Sequence, residues 1–237
     1  MPRVADILAN LDSVRRRITA AAQRVNRSPS DISLVAVSKT FGPDMVRAAA
    51  GCAQLTFGEN KVQEAVAKRA ELADLQLEWH LLGHLQSNKA RKAVTTFHTI
   101  QSVDRLDILQ RLDIAAGEAG VRPRILLQVD LAGELTKFGA PRHSLDTLVA
   151  EAVSARHLEL RGLMLIPPAP DTAESSRSWF RRLRELRDEL VAAGTPAGAL
   201  TDLSMGMSHD FEVAIEEGAT LVRVGTSIFG HRDYDEP

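Results

Sequence analysis

The chain has 237 residues, 44% hydrophobic and 25% charged, with a formal net charge of −2 from 29 basic and 31 acidic side chains. This composition excludes a disordered chain, and the balanced charge gives no electrostatic case for a nucleic-acid partner. One cysteine, Cys52, excludes an internal disulfide and a thiolate metal cage, and no apolar run nears the roughly 18 residues of a membrane span. The first residues, Met1 to Asp6, lack an apolar stretch followed by a small-residue cleavage site, so a soluble, cytoplasmic protein is expected.

Residues 3–26 place Ile7, Leu8, Leu11, Val14, Ile18, Ala21, Ala22 and Val25 on one face of a helix, with Arg15, Arg16 and Arg17 read as a solvated outer face. Ser28-Pro29-Ser30-Asp31 breaks it. The run from Ile32 to Thr40 is apolar, rich in β-branched residues and ends on Lys39, which reads as a buried parallel strand. Short apolar runs then alternate with amphipathic segments. A helix over 43–51 precedes a strand at Leu55-Thr56-Phe57, which ends in Gly58-Glu59-Asn60. A third strand, Glu78 to Leu82, ends in Gly83-His84, and a fourth, His98 to Gln101, ends in Ser102. Arg124 to Asp130 is the fifth and Leu160 to Leu165 the sixth, closed by Pro167. Asp202-Leu203-Ser204 is the seventh and Leu221 to Val224 the eighth. Eight such βα units with one helix in front indicate a single (β/α)8 TIM barrel: helix in 1–30, barrel in 31–230, tail in 231–237. A doubly wound sheet is the alternative, but Ser38-Lys39-Thr40 is no glycine-rich phosphate turn.

In such a barrel the site is built at the carboxyl ends of the strands. A lysine in a dry strand end gives up part of its preference for charge, which makes its amine a nucleophile toward a carbonyl. The alternative is that Lys39 snorkels to water. Two loops look built for an anion: Ser204-Met205-Gly206-Met207-Ser208 before a helix, and Gly225-Thr226-Ser227 after the last strand. The alternative is that their glycines permit tight turns. Arg223, inside the eighth strand, needs a partner, because an unpaired buried charge is costly. Either a strand-end carboxylate or an acceptor on a bound cofactor would serve. Lysine, phosphate cradle and inward arginine together spell pyridoxal 5′-phosphate (PLP): a Schiff-base lysine, an anchor and a partner for the ring nitrogen.

The runs Ala36-Val37-Ser38-Lys39-Thr40, Phe57-Gly58-Glu59-Asn60, Trp79 to Lys89, Arg161-Gly162-Leu163-Met164, Leu203 to Asp210 and Val222 to Gly230 resemble the signatures of the pyridoxal phosphate homeostasis proteins, the YggS/PROSC family. Lys61 stands where that family often has an aromatic residue. The resemblance implies a barrel like the N-terminal domain of alanine racemase, with PLP bound to Lys39. It places the cofactor-binding set at Lys39, Asn60, Ser204, Met205, Gly206, Arg223, Gly225 and Thr226. It further implies carrying or buffering the cofactor, with apo forms of PLP-dependent enzymes as partners, rather than robust catalysis.

A racemase on the same barrel is the competing reading. It needs a second proton-transfer group facing the lysine, which in the resembling racemases is a tyrosine of a separate C-terminal domain. Here the only tyrosine is Tyr234, in the tail, and no such domain is expected after it. His84 or His209 could substitute. No metal site is expected, since Cys52 has no ligand partners at metal spacing. Without the domain that pairs racemase subunits, a monomer is expected.

Overall fold

A computed structural model describes residues 4–133, 138–169 and 171–230 of the chain. Helix α1 (Val4–Arg24) comes first, and the Pro29–Asp31 turn redirects the backbone into β1 (Ser33–Val37). The other barrel strands are β2 (Thr56–Glu59), β3 (Glu78–Leu81), β4 (Thr99–Val103), β5 (Arg124–Asp130), β6 (Glu159–Met164), β7 (Asp202–Ser204) and β8 (Leu221–Val224). The helices between them are α2 (Pro43–Gly51), α3 (Val62–Glu71), α4 (Ala90–Thr96), α5 (Leu106–Ala119), α6 (Arg142–Ser154), α7 (Arg177–Ala192) and α8 (Phe211–Glu216). A single turn, α9 (Thr226–Phe229), follows β8.

Each strand pairs in parallel with its neighbour in the chain, and β8 closes on β1. The expected (β/α)8 barrel is therefore the fold. The closing register sets Val35 beside Arg223 and Ala36 beside Val224, which puts the end of β1 against the end of β8. One feature was not expected: Ala140–Pro141 adds a two-residue parallel strand beside Val129 and Asp130.

Alternation along the strands divides the core in two. Outward residues such as Ala36, Phe57, Trp79, Leu81, Ile100, Leu163 and Val222 meet the apolar faces of the helices in one large cluster. Inside the barrel, Val35, Leu126, Met164 and Leu221 form a small apolar plug. The rest of the interior is polar, with Gln101 and Ser204 at 0%, His80 at 3% and Arg223 at 4% exposure.

Helix α1 packs against α2, α8 and α9. Its Asn10 Nδ2 donates to the Ile228 carbonyl at 2.9 Å. Arg17 is not the solvated residue expected: it pairs with Glu212 through two hydrogen bonds (3.1 and 2.8 Å) and lies 4.5 Å over the Phe211 ring. The helix spacing keeps Arg17 near the seam with α8, where a carboxylate and an aromatic face compete successfully with water.

Candidate active site at the carboxyl-terminal rim

Lys39 lies two residues beyond β1, in a turn closed by the Phe41 N–H donating to the Ser38 carbonyl (3.0 Å). The strand therefore stops earlier than its apolar run predicts. Thr40 adopts a left-handed φ of 72°, a conformation unfavourable for a β-branched residue unless its surroundings hold it. They do. The Thr40 N–H donates to Glu64 Oε1 at 2.6 Å, and Lys68 Nζ donates to the Ser38 carbonyl (2.8 Å), to Glu59 Oε1 (2.7 Å) and to Glu64 Oε1 (2.8 Å). Ser38 Oγ also donates to Glu59 Oε1 at 2.6 Å.

Glu59 is fully buried, and desolvation raises its pKa against the opposing pull of Lys68. For Glu64, burial pushes upward too, but the hydrogen bonds from Lys68 and Thr40 outweigh it and leave the carboxyl lowered. Glu59 at the end of β2, with Glu64 and Lys68 on α3, thus forms a bracket under the lysine turn. The sequence reading did not identify it; a lysine and glutamate four apart on a helix that follows a buried strand was the available signal.

A cavity of about 490 Å³ opens above this turn, a usual size for a small cofactor. Its walls include Lys39, Asn60, Arg223, Gly225 and Thr226, which the structure brings together from the ends of β1, β2 and β8. Ser204, Met205 and Gly206 are not on that wall. Ser204 and Met205 are fully buried, and Ser204 Oγ is occupied inside the barrel by Arg223 and Gln101. Depth explains the difference: Ser204 is level with Leu221 of the apolar plug, below Arg223, and the chain reaches the cavity only afterwards, at Met207, Ser208 and His209.

Gly206 shapes that loop. Its φ is 87°, and a Cβ there would lie 2.5 Å from Ala214 Cβ and 2.9 Å from Phe211 Cα. Ser208 Oγ accepts from the N–H groups of Gly225 (3.2 Å) and Ser227 (3.3 Å), which ties the two turns together. The Ser208 and Thr226 hydroxyls therefore converge on the cavity wall at the turns ending β7 and β8, while the two N–H groups are taken up by Ser208 Oγ. That pair of hydroxyl donors fits a phosphate. In the loop after β3, a Cβ at Gly83 would fall 2.2 Å from the Asn60 carbonyl oxygen, so only glycine lets that loop pass this close to Asn60.

Arg223 Nη1 donates to Ser204 Oγ (2.7 Å) and Nη2 to the Leu165 carbonyl (2.8 Å). With no carboxylate in direct contact among the described residues, burial lowers its pKa to about 10, while Asp210 pulls the other way. Asp210 caps the Met207 N–H (2.7 Å) and accepts from Ser176 Oγ (2.7 Å). His84 also lines the cavity, stacked on Phe138 with ring centroids 3.7 Å apart. Its Nδ1 stands 3.5 Å from Asp104 Oδ2, too long for a good hydrogen bond, and burial raises the Asp104 pKa. Among the described residues no His, Cys, Asp and Glu group could hold a metal. Tyr234 and the rest of the tail lie outside the described residues.

Residues 9–233 match the alanine racemase N-terminal domain family. The chain is 44% identical to the pyridoxal phosphate homeostasis protein of Pseudomonas aeruginosa, covering 99% of each chain. Identity to the protein of the same name from Aquifex aeolicus is 42%, over 94% of this chain and 97% of that one. Among solved structures, PipY of Synechococcus elongatus PCC7942 with PLP bound superposes with a TM-score of 0.84 at 43% identity, covering 94% of this chain and all of that one. Alanine racemase from Streptomyces coelicolor A3(2) shares the fold, with a TM-score of 0.70 at 21% identity over 97% of this chain and 59% of the racemase.

Proposed function

The chain belongs to the pyridoxal phosphate homeostasis protein family, and from that premise we propose that it binds PLP in the carboxyl-terminal cavity and carries or buffers the cofactor. The observation that carries the reading is the convergence of Lys39, Arg223 and the Gly225–Thr226 turn on one cavity of cofactor size. PLP, when bound, supplies an aldehyde that an amine can capture and a ring that withdraws electrons. Lys39 offers the amine, on a turn that the Lys68 bracket holds in place. The Ser208 and Thr226 hydroxyls would hold the phosphate, on turns tied together by the Gly225 and Ser227 N–H groups donating to Ser208 Oγ, with Asn60 on the same cavity wall. Arg223, buried and fixed, would face the ring nitrogen of the bound cofactor and disfavour its protonation, which would weaken the ring as an electron sink and suit a carrier more than a catalyst.

In this reading the protein works in the cytoplasm as a monomer and delivers PLP to apo forms of PLP-dependent enzymes. A racemase is the second reading, favoured by the two histidines, His84 and His209, on the cavity wall. Against it, the ring of His84 is engaged in its stack with Phe138. Absorbance decides the first question: purified protein with PLP is yellow, Lys39→Ala abolishes the band of the lysine-bound cofactor, and borohydride reduction marks the Lys39 peptide. Rapid stereospecific turnover of an amino acid by the wild type would overturn the carrier reading. Transfer to an apo-enzyme no faster than from free PLP would overturn delivery.

A further inference from the structure

The wall of the cavity continues through the barrel as an unbroken line of polar side chains. Ser204 Oγ accepts from Arg223 and donates to Gln101 Oε1 at 2.6 Å. With its oxygen occupied, Gln101 turns Nε2 to His80 Nδ1 at 2.8 Å. His80 Nε2 lies 3.1 Å from Glu78 Oε1, and Glu78 is paired with Arg124 at the start of β5. Gln101 and Ser204 are 103 residues apart in the chain, so nothing local places them together.

Only one order of protons satisfies every member. Arg223 and the Gln101 amide nitrogen can only donate, and the Glu78 carboxylate can only accept. His80 Nδ1 must then hold a lone pair, and its proton sits on Nε2 toward Glu78. Reversing Gln101 would aim two donors at Ser204, strand the serine proton and set an imidazole lone pair against a carboxylate. The interior of such a barrel is usually filled by branched apolar side chains, as the Val35, Leu126, Met164 and Leu221 plug does here. Apolar replacements for buried polar groups are often neutral or stabilising, so stability alone gives little reason for this line.

We propose that Gln101 and His80 are positioning residues for Arg223, joining it through oriented hydrogen bonds to the Glu78 carboxylate at the opposite rim and fixing which N–H groups it turns to the cavity. The consequence for the cofactor rests on the PLP reading; the proton order does not. Charged groups facing the His80 ring are Glu78, Arg124 and Asp202.

Two measurements test this on the full chain. In long-range 15N–1H spectra of the protein without PLP, His80 is expected as the Nε2–H tautomer, unchanged between about pH 5.5 and 8.5. An Nδ1–H tautomer would overturn the proposal. In PLP titrations followed by absorbance, Gln101→Met and His80→Leu are expected to weaken binding roughly tenfold and to shift the band. His80→Asn, which keeps an acceptor where Nδ1 lies, recovers to within about threefold of wild type. Binding and band unchanged in a Gln101→Met protein that melts cooperatively would refute the positioning role. If the wild type itself failed to bind PLP, the functional reading would fall, and the tautomer would still decide the proton order.

Discussion

Replacing Lys68 by methionine tests whether the bracket under Lys39 matters for both stability and function. Lys68 is 5% exposed and Glu59 0%, so solvent screens the pair little and the loss needs no surface discount. Removing one partner of a buried pair costs about 3–5 kcal/mol, because the other charge remains buried with too few partners. Ser38 Oγ would be the sole remaining donor to Glu59 Oε1 among the bonds described above. In a chain of this length that loss lowers Tm by roughly 6–20 °C.

The pH dependence has a definite sign. Desolvation already raises the Glu59 pKa, and without Lys68 it rises further. A carboxyl whose folded pKa lies above its unfolded value binds more protons when folded. Its stability is full below the ordinary glutamate range and is lost as pH rises through the folded pKa. The Lys68→Met deficit is therefore smallest in mild acid and grows toward alkaline pH. Thermal melts of wild type and variant at a series of pH values, with PLP absorbance in parallel, make the measurement. Adding Glu59→Gln should restore much of the loss, since a neutral amide is far cheaper to bury. A variant that melts within about 2 °C of wild type at pH 8, with the same lysine-bound band, would refute the argument.

Gly206→Ala forces a methyl group into Ala214 and Phe211 at a φ of 87°, and a loss of roughly 2–4 kcal/mol is expected in denaturant melts. Ser208→Ala leaves the Gly225 and Ser227 N–H groups without their hydroxyl acceptor; it should cost about 1–2 kcal/mol and weaken PLP more than unphosphorylated pyridoxal in paired titrations. Arg17→Ala removes a pair whose side chains are 38% and 30% exposed, together with a stack on Phe211, so the expected loss is only about 1 kcal/mol, reduced further in high salt for the ionic part.

The pattern of the chain carried the eight strands, and the bounds of β5, β7, β8 and α2 match the expected ones. These are long or sharply punctuated segments, such as Pro43 at the first position of α2, where periodicity and turn chemistry act within a few residues. Lys39, Asn60, Gly225 and Thr226 were legible as wall residues because all follow a strand, where barrel sites lie, and Arg223 because a charge inside β8 needs a partner. Of the two hydroxyls flanking Gly206, Ser208 rather than Ser204 lines the cavity. A small hydroxyl beside a glycine looks alike at Ser204 and Ser208, and only their depth in the closed barrel tells them apart.

By itself the sequence determined which segments are strands and helices and that a lysine, an arginine and two glycine turns gather at one end. Tertiary structure decided what each polar group meets: Lys68 under Ser38, Ser208 over Gly225, Gln101 between Ser204 and His80. Periodicity is a property of neighbours along the chain and survives in a short window. A hydrogen bond between residues 103 apart exists only after eight strands close in one register, which no local stretch specifies.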